Sequence, residues 1–183
     1  AGAGSGFVAV GAVAGDKGDQ PAVWTSRDGE KWALKTLPLP SGVAKAQLTH
    51  VAAKGNTLVA AGTAPSEQGP TWVGYVSVDG GASWRELPAP GGEKELAVTA
   101  AAATSSGFAV TAVSGPADGA DVVSMTSSDG SSWKVARPEG TGLSGQGAQE
   151  ITGLVEFQGK TIGVGRSDGP DGEQPVLWTR PAS

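Results

Sequence analysis

The chain has 183 residues, a net charge of −5 and no cysteine. The acidic balance excludes nucleic acid from the predicted partners, because binding to phosphates requires clustered Lys and Arg, and the missing cysteines exclude disulfides and thiolate metal sites. No apolar run approaches the roughly 20 residues of a membrane-spanning helix, so no membrane insertion is expected.

Turn-forming residues are frequent, with 30 Gly and 12 Pro, and short apolar runs lie between them. Such regular runs favour a folded repeat protein over a disordered chain. The first six residues are only Ala, Gly and Ser, and we expect them to be a linker or a cut end. Residues 1–183 are predicted to form a single domain or a fragment of one.

The apolar runs define strands in four successive units, and we name the strands a to d within each unit. The first unit shows runs for b, c and d, the second and third show all four, and the fourth shows a, b and c. Four strands in about 50 residues are typical of one β-propeller blade. The sequence therefore predicts an all-β protein, a β-propeller segment of about four blades with three to four antiparallel strands each. The units cover residues 7–37, 46–87, 96–135 and 151–180.

The two ends of the chain do not complement each other, since the first unit lacks strand a and the last lacks strand d. They cannot form one ordinary closing blade together. We therefore expect the chain to be a portion of a longer propeller, or its open edges to be covered by further blades or a second chain, because bare sheet edges invite association.

A short motif of Ser, Asp, Gly and Trp recurs between strands c and d of the first three units. The aspartates Asp28, Asp79 and Asp129 stand 51 and then 50 residues apart. In such a turn Asp accepts hydrogen bonds from backbone N–H groups and Gly supplies positive φ, while Trp anchors the turn in apolar packing. The motif residues are Ser26, Asp28, Gly29, Trp32, Ser77, Asp79, Gly81, Trp84, Ser127, Asp129, Gly130 and Trp133.

These three copies resemble the Asp-box, or bacterial neuraminidase repeat, of sialidase-like β-propellers and of several non-catalytic propellers. Only the middle copy has the full Ser-x-Asp-x-Gly-x-x-Trp spacing. In the outer copies one residue fewer separates Asp from Trp, which predicts tighter turns. The resemblance implies that the aspartates are structural and lie at the outer part of each blade, on the face away from the ligand.

The connections between strands b and c are predicted to open on the other face, together with the connections from d to the next a. They are rich in acids, with Lys17 and Arg166 as basic groups. This acidic face is the candidate ligand surface, and solvated loops are the alternative explanation. Its acids are Asp16, Asp19, Glu67, Asp118, Asp121, Asp168, Asp171 and Glu173.

Two segments on this face carry more specific hypotheses. Residues 167–173 contain Asp168, Asp171 and Glu173, whose oxygens could hold Ca²⁺, although their spacing does not match an EF-hand. No other cofactor is expected. The connection 137–149 is the longest in the chain, and it is either a functional loop or a disordered spacer.

The catalytic set that the resemblance would require for a sialidase is missing. Such an enzyme needs clustered arginines, a Tyr with a nearby Glu as nucleophile, and an Asp as acid and base. The only tyrosine, Tyr75, lies on a c strand, and no arginine lies on an a strand. His50, the only histidine, lies on an a strand and has no evident partner for a triad or a metal site.

We therefore predict a non-catalytic binding or interaction scaffold for a protein or glycan ligand. One alternative is a glycoside hydrolase whose catalytic residues lie partly outside this chain, and another is a purely structural repeat in a larger assembly. The resemblance implies an extracellular or cell-surface location, because Asp-box propellers are mostly exported.

Overall fold

The computed structural model describes residues 1–183 except 5, 17, 141, 170, 171, 182 and 183. The described residues form four antiparallel sheets of three or four strands, with a single 3₁₀ turn at Pro90–Gly92. The protein is thus all-β, and its four successive sheets are consistent with part of a β-propeller. Among these residues, no helix has the length and apolar character needed to cross a bilayer.

Each sheet is a meander in which every strand pairs with the next one in the chain. The first sheet contains β1 (Gly2–Ala3), β2 (Gly6–Val13), β3 (Gln20–Ser26) and β4 (Ala33–Thr36). The second contains β5 (Gln47–Lys54), β6 (Thr57–Ser66), β7 (Gly69–Ser77) and β8 (Arg85–Leu87). The third contains β9 (Ala97–Thr104), β10 (Gly107–Ser114), β11 (Asp121–Ser127) and β12 (Lys134–Ala136). The fourth contains β13 (Gln149–Phe157), β14 (Lys160–Gly169) and β15 (Gly172–Pro181).

The prediction that the first sheet has no strand a was wrong. The short strand β1 occupies that place, and the backbones of Ala1 and Val8 exchange hydrogen bonds of 2.7 and 2.9 Å. The N–H of Gly4 also donates to the carbonyl of Gly55 in the second sheet, at 3.1 Å. A run of Ala and Gly gives no apolar signal, but its backbone pairs as well as any other, so the segment predicted to be a linker is partly a strand.

The strand register is the same in all four sheets, which makes their positions directly comparable. Strand b pairs with strand c through equivalent residue pairs in every case. Because side chains alternate along a strand, one face of each of the two middle sheets meets the previous sheet and the other face meets the next, whereas the first and fourth sheets each meet one neighbour. The equivalent pairs are Ala9↔Trp24, Ala60↔Tyr75, Val110↔Met125 and Gly163↔Trp178.

The apolar core lies between the sheets; it is largest between the second and third sheets and smallest between the third and fourth. Val23, Val73 and Tyr75 are fully or almost fully buried between the first and second sheets. A larger cluster fills the space between the second and third sheets, where Trp72 and Trp133 meet edge to face at 6.2 Å between ring centroids. The third and fourth sheets share a small cluster around Val122, Leu143 and Ile151.

A β-bulge interrupts the innermost full-length strands β5, β9 and β13 at equivalent positions. The extra residue is a threonine each time: Thr49, Thr99 and Thr152. Opposite the first and last of these bulges, the backbone approaches so closely that a Cβ at Gly62 would lie 2.0 Å from the carbonyl oxygen of Gln47. Glycine is therefore required at that point on β6, for close approach rather than for its φ angle.

Hydrogen bonds between connections separate the two ends of the sheets into distinct faces. The c-to-d turn of the second sheet lies beside its a-to-b turn, where the N–H of Gly80 donates to Asn56 at 2.9 Å. At the opposite end, d-to-a connections meet b-to-c connections through N–H donation from Leu96 to Pro70 and from Gln149 to Ala120, at 2.9 and 2.8 Å. The face opposite the Ser-Asp-Gly-Trp turns therefore carries both sets of longer connections.

Candidate functional site

The three Ser-Asp-Gly-Trp turns, residues 26–32, 77–84 and 127–133, have nearly the same internal geometry. In the middle turn, the carboxylate of Asp79 accepts hydrogen bonds from Ser77 Oγ at 2.8 Å, from the backbone N–H of Ser83 at 2.9 Å and from Ser83 Oγ at 2.5 Å. Gly81 has φ 95° and its carbonyl accepts the indole N–H of Trp84 at 3.0 Å. The aspartate organises its own turn.

The outer turns are one residue shorter between Asp and Trp, and their aspartates also accept hydrogen bonds from backbone N–H groups of the turn. Asp28 Oδ1 accepts from the backbone N–H groups of Glu30 and Lys31 at 2.9 and 2.8 Å, and Asp129 Oδ1 accepts from Ser131 and Ser132 at 2.7 and 2.8 Å. These donors hold the carboxylates in the charged form. Bonds from Ser83 lower the pKa of Asp79 to about 2, bonds from Ser132 and Ser131 lower the pKa of Asp129 to about 2, and those from Lys31 and Glu30 lower the pKa of Asp28.

The acids of the predicted ligand surface lie apart from one another, on the connections from b to c or at the strand ends beside them. Four of its members are exposed in loops or turns and belong to three different sheets: Asp16, Asp19, Glu67 and Asp118. Asp121 is half-buried and accepts the N–H of Gly145 at 3.1 Å. Among the described residues, no three His, Cys, Asp or Glu side chains converge in a way that could hold a metal ion.

The segment predicted as a calcium-binding loop is mostly a β-hairpin. β14 continues to Gly169 and β15 begins at Gly172, so that Asp168 and Glu173 are cross-strand partners, while Asp171 lies outside the described residues. The sequence did not indicate this pairing, because residues 166–169 and 172–174 contain no apolar run. Arg166 bonds the carboxylates of Glu150 and Glu173, both at 3.2 Å, and these bonds raise the pKa of the guanidinium.

The long connection 137–149 is packed against the sheets at some of its residues, whereas Glu139, Gly140, Gly145 and Gln146 are exposed. Leu143 is buried in the cluster between the third and fourth sheets, and its carbonyl accepts the N–H of Val122 at 3.0 Å. Gln149 is also buried, and its amide nitrogen donates to Gln146 at 3.0 Å. The connection thus helps to fix the two sheets relative to each other.

Tyr75 and His50, which were considered as catalytic candidates, both make hydrogen bonds within the fold. The hydroxyl of Tyr75 is buried and donates to the carbonyl of Pro38, and burial raises its pKa. His50 is half-buried on β5, where Nδ1 and the hydroxyl of Thr49 are 2.8 Å apart. Burial lowers the pKa of His50, and a hydrogen bond to the backbone of Thr99 partly offsets that effect.

A cavity of about 360 Å³ between the third and fourth sheets was not predicted from the sequence. Small and hydroxyl side chains of the third sheet form one wall, and Trp178 and Arg180 belong to the other. A comparison of the repeats could have indicated this cavity. Ala109 and Thr126 occupy the positions of Val59 and Val76 in the second sheet, and they are smaller or more polar than these valines. The principal lining residues are Ala109, Thr111, Ser124, Thr126, Trp178 and Arg180.

The outward faces of the first and fourth sheets expose large apolar side chains. On the fourth sheet these share one face, because strand alternation and pairing align Val155, Val164 and Leu177, which are 53%, 49% and 71% exposed. On the first sheet Phe7 and Leu34 are about half exposed. The same sheets bury their opposite faces against their neighbours.

The fold is similar to that of known solved structures. A protein of unknown function from Dyadobacter fermentans matches 86% of this chain and 48% of its own, with a TM-score of 0.54 at 14% identity. The Hadza microbial sialidase Hz136 matches 93% of this chain and 40% of its own, with a TM-score of 0.52 at 14% identity. These likenesses show the fold alone, which is a sialidase-like propeller fold.

The chain spans less than half the length of these two structures. No protein-family model matches it, and no curated protein matches it significantly.

Proposed function

We propose that this protein is a non-catalytic scaffold of the Asp-box propeller type, which binds a protein or glycan ligand through the face that carries the b-to-c connections. The observation that supports this most is the spacing of its acids. Exposed carboxylates of Asp16, Glu67 and Asp118 project from successive sheets on one face, each on a separate connection. Such a row suits recognition at several points along a surface, as in loop-based binding sites on rigid scaffolds.

The geometry of the Ser-Asp-Gly-Trp turns supports the Asp-box assignment. Each Asp is committed to its own turn, on the face away from the proposed ligand surface. By the same resemblance, we propose an extracellular or cell-surface location. We also propose that further blades or a second chain cover the exposed outer faces of the first and fourth sheets.

The glycoside-hydrolase alternative is supported by the likeness to a sialidase fold, and fold alone does not assign a reaction. An assay with fluorogenic sialosides separates the two hypotheses. The scaffold is expected to release no product while still binding members of a glycan or exported-protein array. Hydrolysis that is lost on changing one of the exposed loop carboxylates would establish an enzyme.

The binding surface itself is tested by charge reversal. We expect the double variant Asp16→Lys and Glu67→Lys to lose at least about tenfold in affinity for the array ligand. Each substitution replaces a negative charge of the proposed surface with a positive one, and charge complementarity contributes to recognition. The matched control is Glu30→Lys with Glu86→Lys, which changes the charge equally away from the proposed face. Equal losses in the two variants would contradict the assignment of the face.

A further inference from the structure

We propose that the turn at residues 116–119 is a site of spontaneous covalent modification, at which Asp118 converts to isoaspartate through a cyclic imide formed with Gly119. Asp-Gly is the pair in which this reaction is least hindered, because glycine has no Cβ beside the attacking nitrogen. The sequence contains six such pairs, whose aspartates are Asp28, Asp79, Asp118, Asp129, Asp168 and Asp171. The structure describes all of them except Asp171, and it distinguishes them by what holds the two reacting groups.

The reaction takes all its atoms from the chain and from water. The backbone nitrogen of Gly119 attacks the carboxyl carbon Cγ of Asp118, a C–N bond forms, and a water molecule leaves with the hydrogen of that nitrogen and one oxygen of the carboxyl group. A second water then opens the imide at either carbonyl. Opening at the original main-chain carbonyl leaves the backbone running through Cβ and Cγ of Asp118. No oxidant, reductant or cofactor is consumed.

Three of the pairs lie in the Ser-Asp-Gly-Trp turns, where both reacting groups are already hydrogen-bonded. In the third turn, Asp129 Oδ1 accepts the N–H groups of Ser131 and Ser132 at 2.7 and 2.8 Å. Ser127 Oγ bonds both groups, since it donates to Asp129 Oδ1 at 3.0 Å and accepts the N–H of Gly130 at 2.8 Å. The first and second turns also hold the carboxylate and the following amide. These bonds must break before the ring can close.

A fourth pair is restrained by strand pairing. Asp168 lies on β14 opposite Glu173, and its N–H donates to the carbonyl of Ala148 at 2.7 Å. The glycine that follows, Gly169, pairs with Gly172 in the same hairpin. Ring closure requires rotation about the Cα–C bond of the aspartate, which brings the next nitrogen toward Cγ. Backbone bonds on both sides of Asp168 oppose that rotation.

The pair at Asp118 lacks these restraints. Asp118 is exposed, and its carboxylate makes no hydrogen bond or ion pair with any other described residue. The N–H of Gly119 donates to the carbonyl of Pro116 at 3.0 Å, in an exposed turn between β10 and β11. Such surface turns open locally at small cost in free energy. The nitrogen and the carboxyl group of this pair therefore meet more often than those of the other four described pairs.

Ageing of the purified protein at neutral pH and body temperature tests the proposal. Isoaspartate is located by peptide mapping with electron-transfer fragmentation, and its total amount is measured by methyl transfer from labelled S-adenosylmethionine with an isoaspartyl methyltransferase. We expect Asp118 to accumulate isoaspartate at least about tenfold faster than the four restrained aspartates, because the turns and the hairpin must open before those residues react. This readout does not depend on ligand binding, although Asp118 belongs to the proposed ligand surface.

Two variants separate the effect of the turn from that of the residue pair. Gly119→Ala should lower the rate at Asp118 at least about tenfold, because the added methyl hinders the attacking nitrogen; the fold tolerates it, since the new Cβ would meet only Pro116 Cγ at 3.8 Å. Ser127→Ala removes a restraint in the third turn and should raise the rate at Asp129 while leaving Asp118 unchanged. The proposal is wrong if Asp118 reacts no faster than the restrained aspartates, or if Gly119→Ala ages like the parent protein.

Discussion

The carboxylate of Asp79 shows how a single residue can stabilise a turn while remaining exposed. Its oxygens accept three hydrogen bonds from two serines of the same turn. The turn is stabilised because the carboxylate accepts hydrogen bonds from backbone and hydroxyl donors that would otherwise bond only to water, as in Asx-type turns. The role is local, so it should not extend to ligand binding on the opposite face.

We expect Asp79→Ala to lower the melting temperature by a few degrees and to leave ligand binding unchanged, because the turn loses its central acceptor. Asp118→Ala is the matched control, since that carboxylate is exposed in a b-to-c connection. Thermal unfolding followed by circular dichroism measures the effect. Loss of binding at unchanged stability would show that Asp79 belongs to a ligand site.

The depressed pKa values of Asp79 and Asp129, both about 2 against a usual 3.8, predict an acid-sensitive stability. The unfolded chain binds protons at higher pH than the folded one, so this contribution is complete above about pH 4 and is lost as the pH falls toward 2. Urea unfolding midpoints between pH 6 and pH 2 measure it. The double variant Asp79→Asn with Asp129→Asn should show a shallower decline; an unchanged decline would assign the effect to other carboxylates.

At the scale of the strand, the bulges of β5, β9 and β13 set the path of the chain at the inner edge of the sheets. One bulged threonine, Thr99, also belongs to a link between sheets: its hydroxyl lies 3.0 Å from that of Thr111 on β10, which donates to the carbonyl of Ile151 in the fourth sheet at 3.1 Å. A bulge bends its strand and increases the local twist. The inner strands of adjacent sheets can therefore remain in contact as the sheets diverge outward.

The glycine opposite the first bulge allows a direct test of this close approach. We expect Gly62→Ala to reduce the free energy of unfolding by about 1–3 kcal/mol, because the new methyl would force the backbone of β5 to move. Gly119→Ala is the control, since its nearest neighbour would be Pro116 Cγ at 3.8 Å. The third sheet accommodates an alanine, Ala112, at the equivalent position. The expected loss of stability in Gly62→Ala therefore depends on the local path of β5. Equal stability of the two variants would contradict the close approach.

On the scale of the whole molecule, the row of four sheets ends in two apolar faces. Between the sheets, equivalent faces are buried in mixed aliphatic and aromatic clusters. The outer faces thus carry apolar side chains of the kind that a neighbouring sheet covers elsewhere in the molecule. Exposed apolar side chains that share one face are typical of interaction surfaces, and we propose that further blades or a second chain cover them.

We expect the chain to self-associate in a concentration-dependent way unless these faces are covered, and Leu177→Lys to weaken that association, because it places a charge in the apolar face. Val78→Lys is the matched control, since Val78 is 67% exposed but lies in a Ser-Asp-Gly-Trp turn. Sedimentation velocity over a concentration series measures both variants. A monomer at every concentration, unaffected by Leu177→Lys, would show that the outer faces are stable in water.

Most of the strand order was predictable from the sequence, because the apolar runs are short and are separated by segments rich in Gly, Pro and Asp. The prediction failed where this signal is weak. Gly2 and Ala3 carry no apolar pattern but pair through their backbones, and residues 167–169 are polar but continue β14. In both places backbone pairing depends on the neighbouring strand, which local residue types do not reveal.

The amino-acid sequence by itself determined the repeat, the all-β class and the internal chemistry of the Ser-Asp-Gly-Trp turns, because these depend on residues close together in the chain. Only the tertiary structure decided which residues meet between sheets. The cavity beside Trp178, the engagement of Arg166 by two glutamates and the burial of Tyr75 all join residues from different strands or sheets. Their contacts follow from how the sheets are stacked, and stacking is fixed by packing across the whole interface rather than by any local pattern.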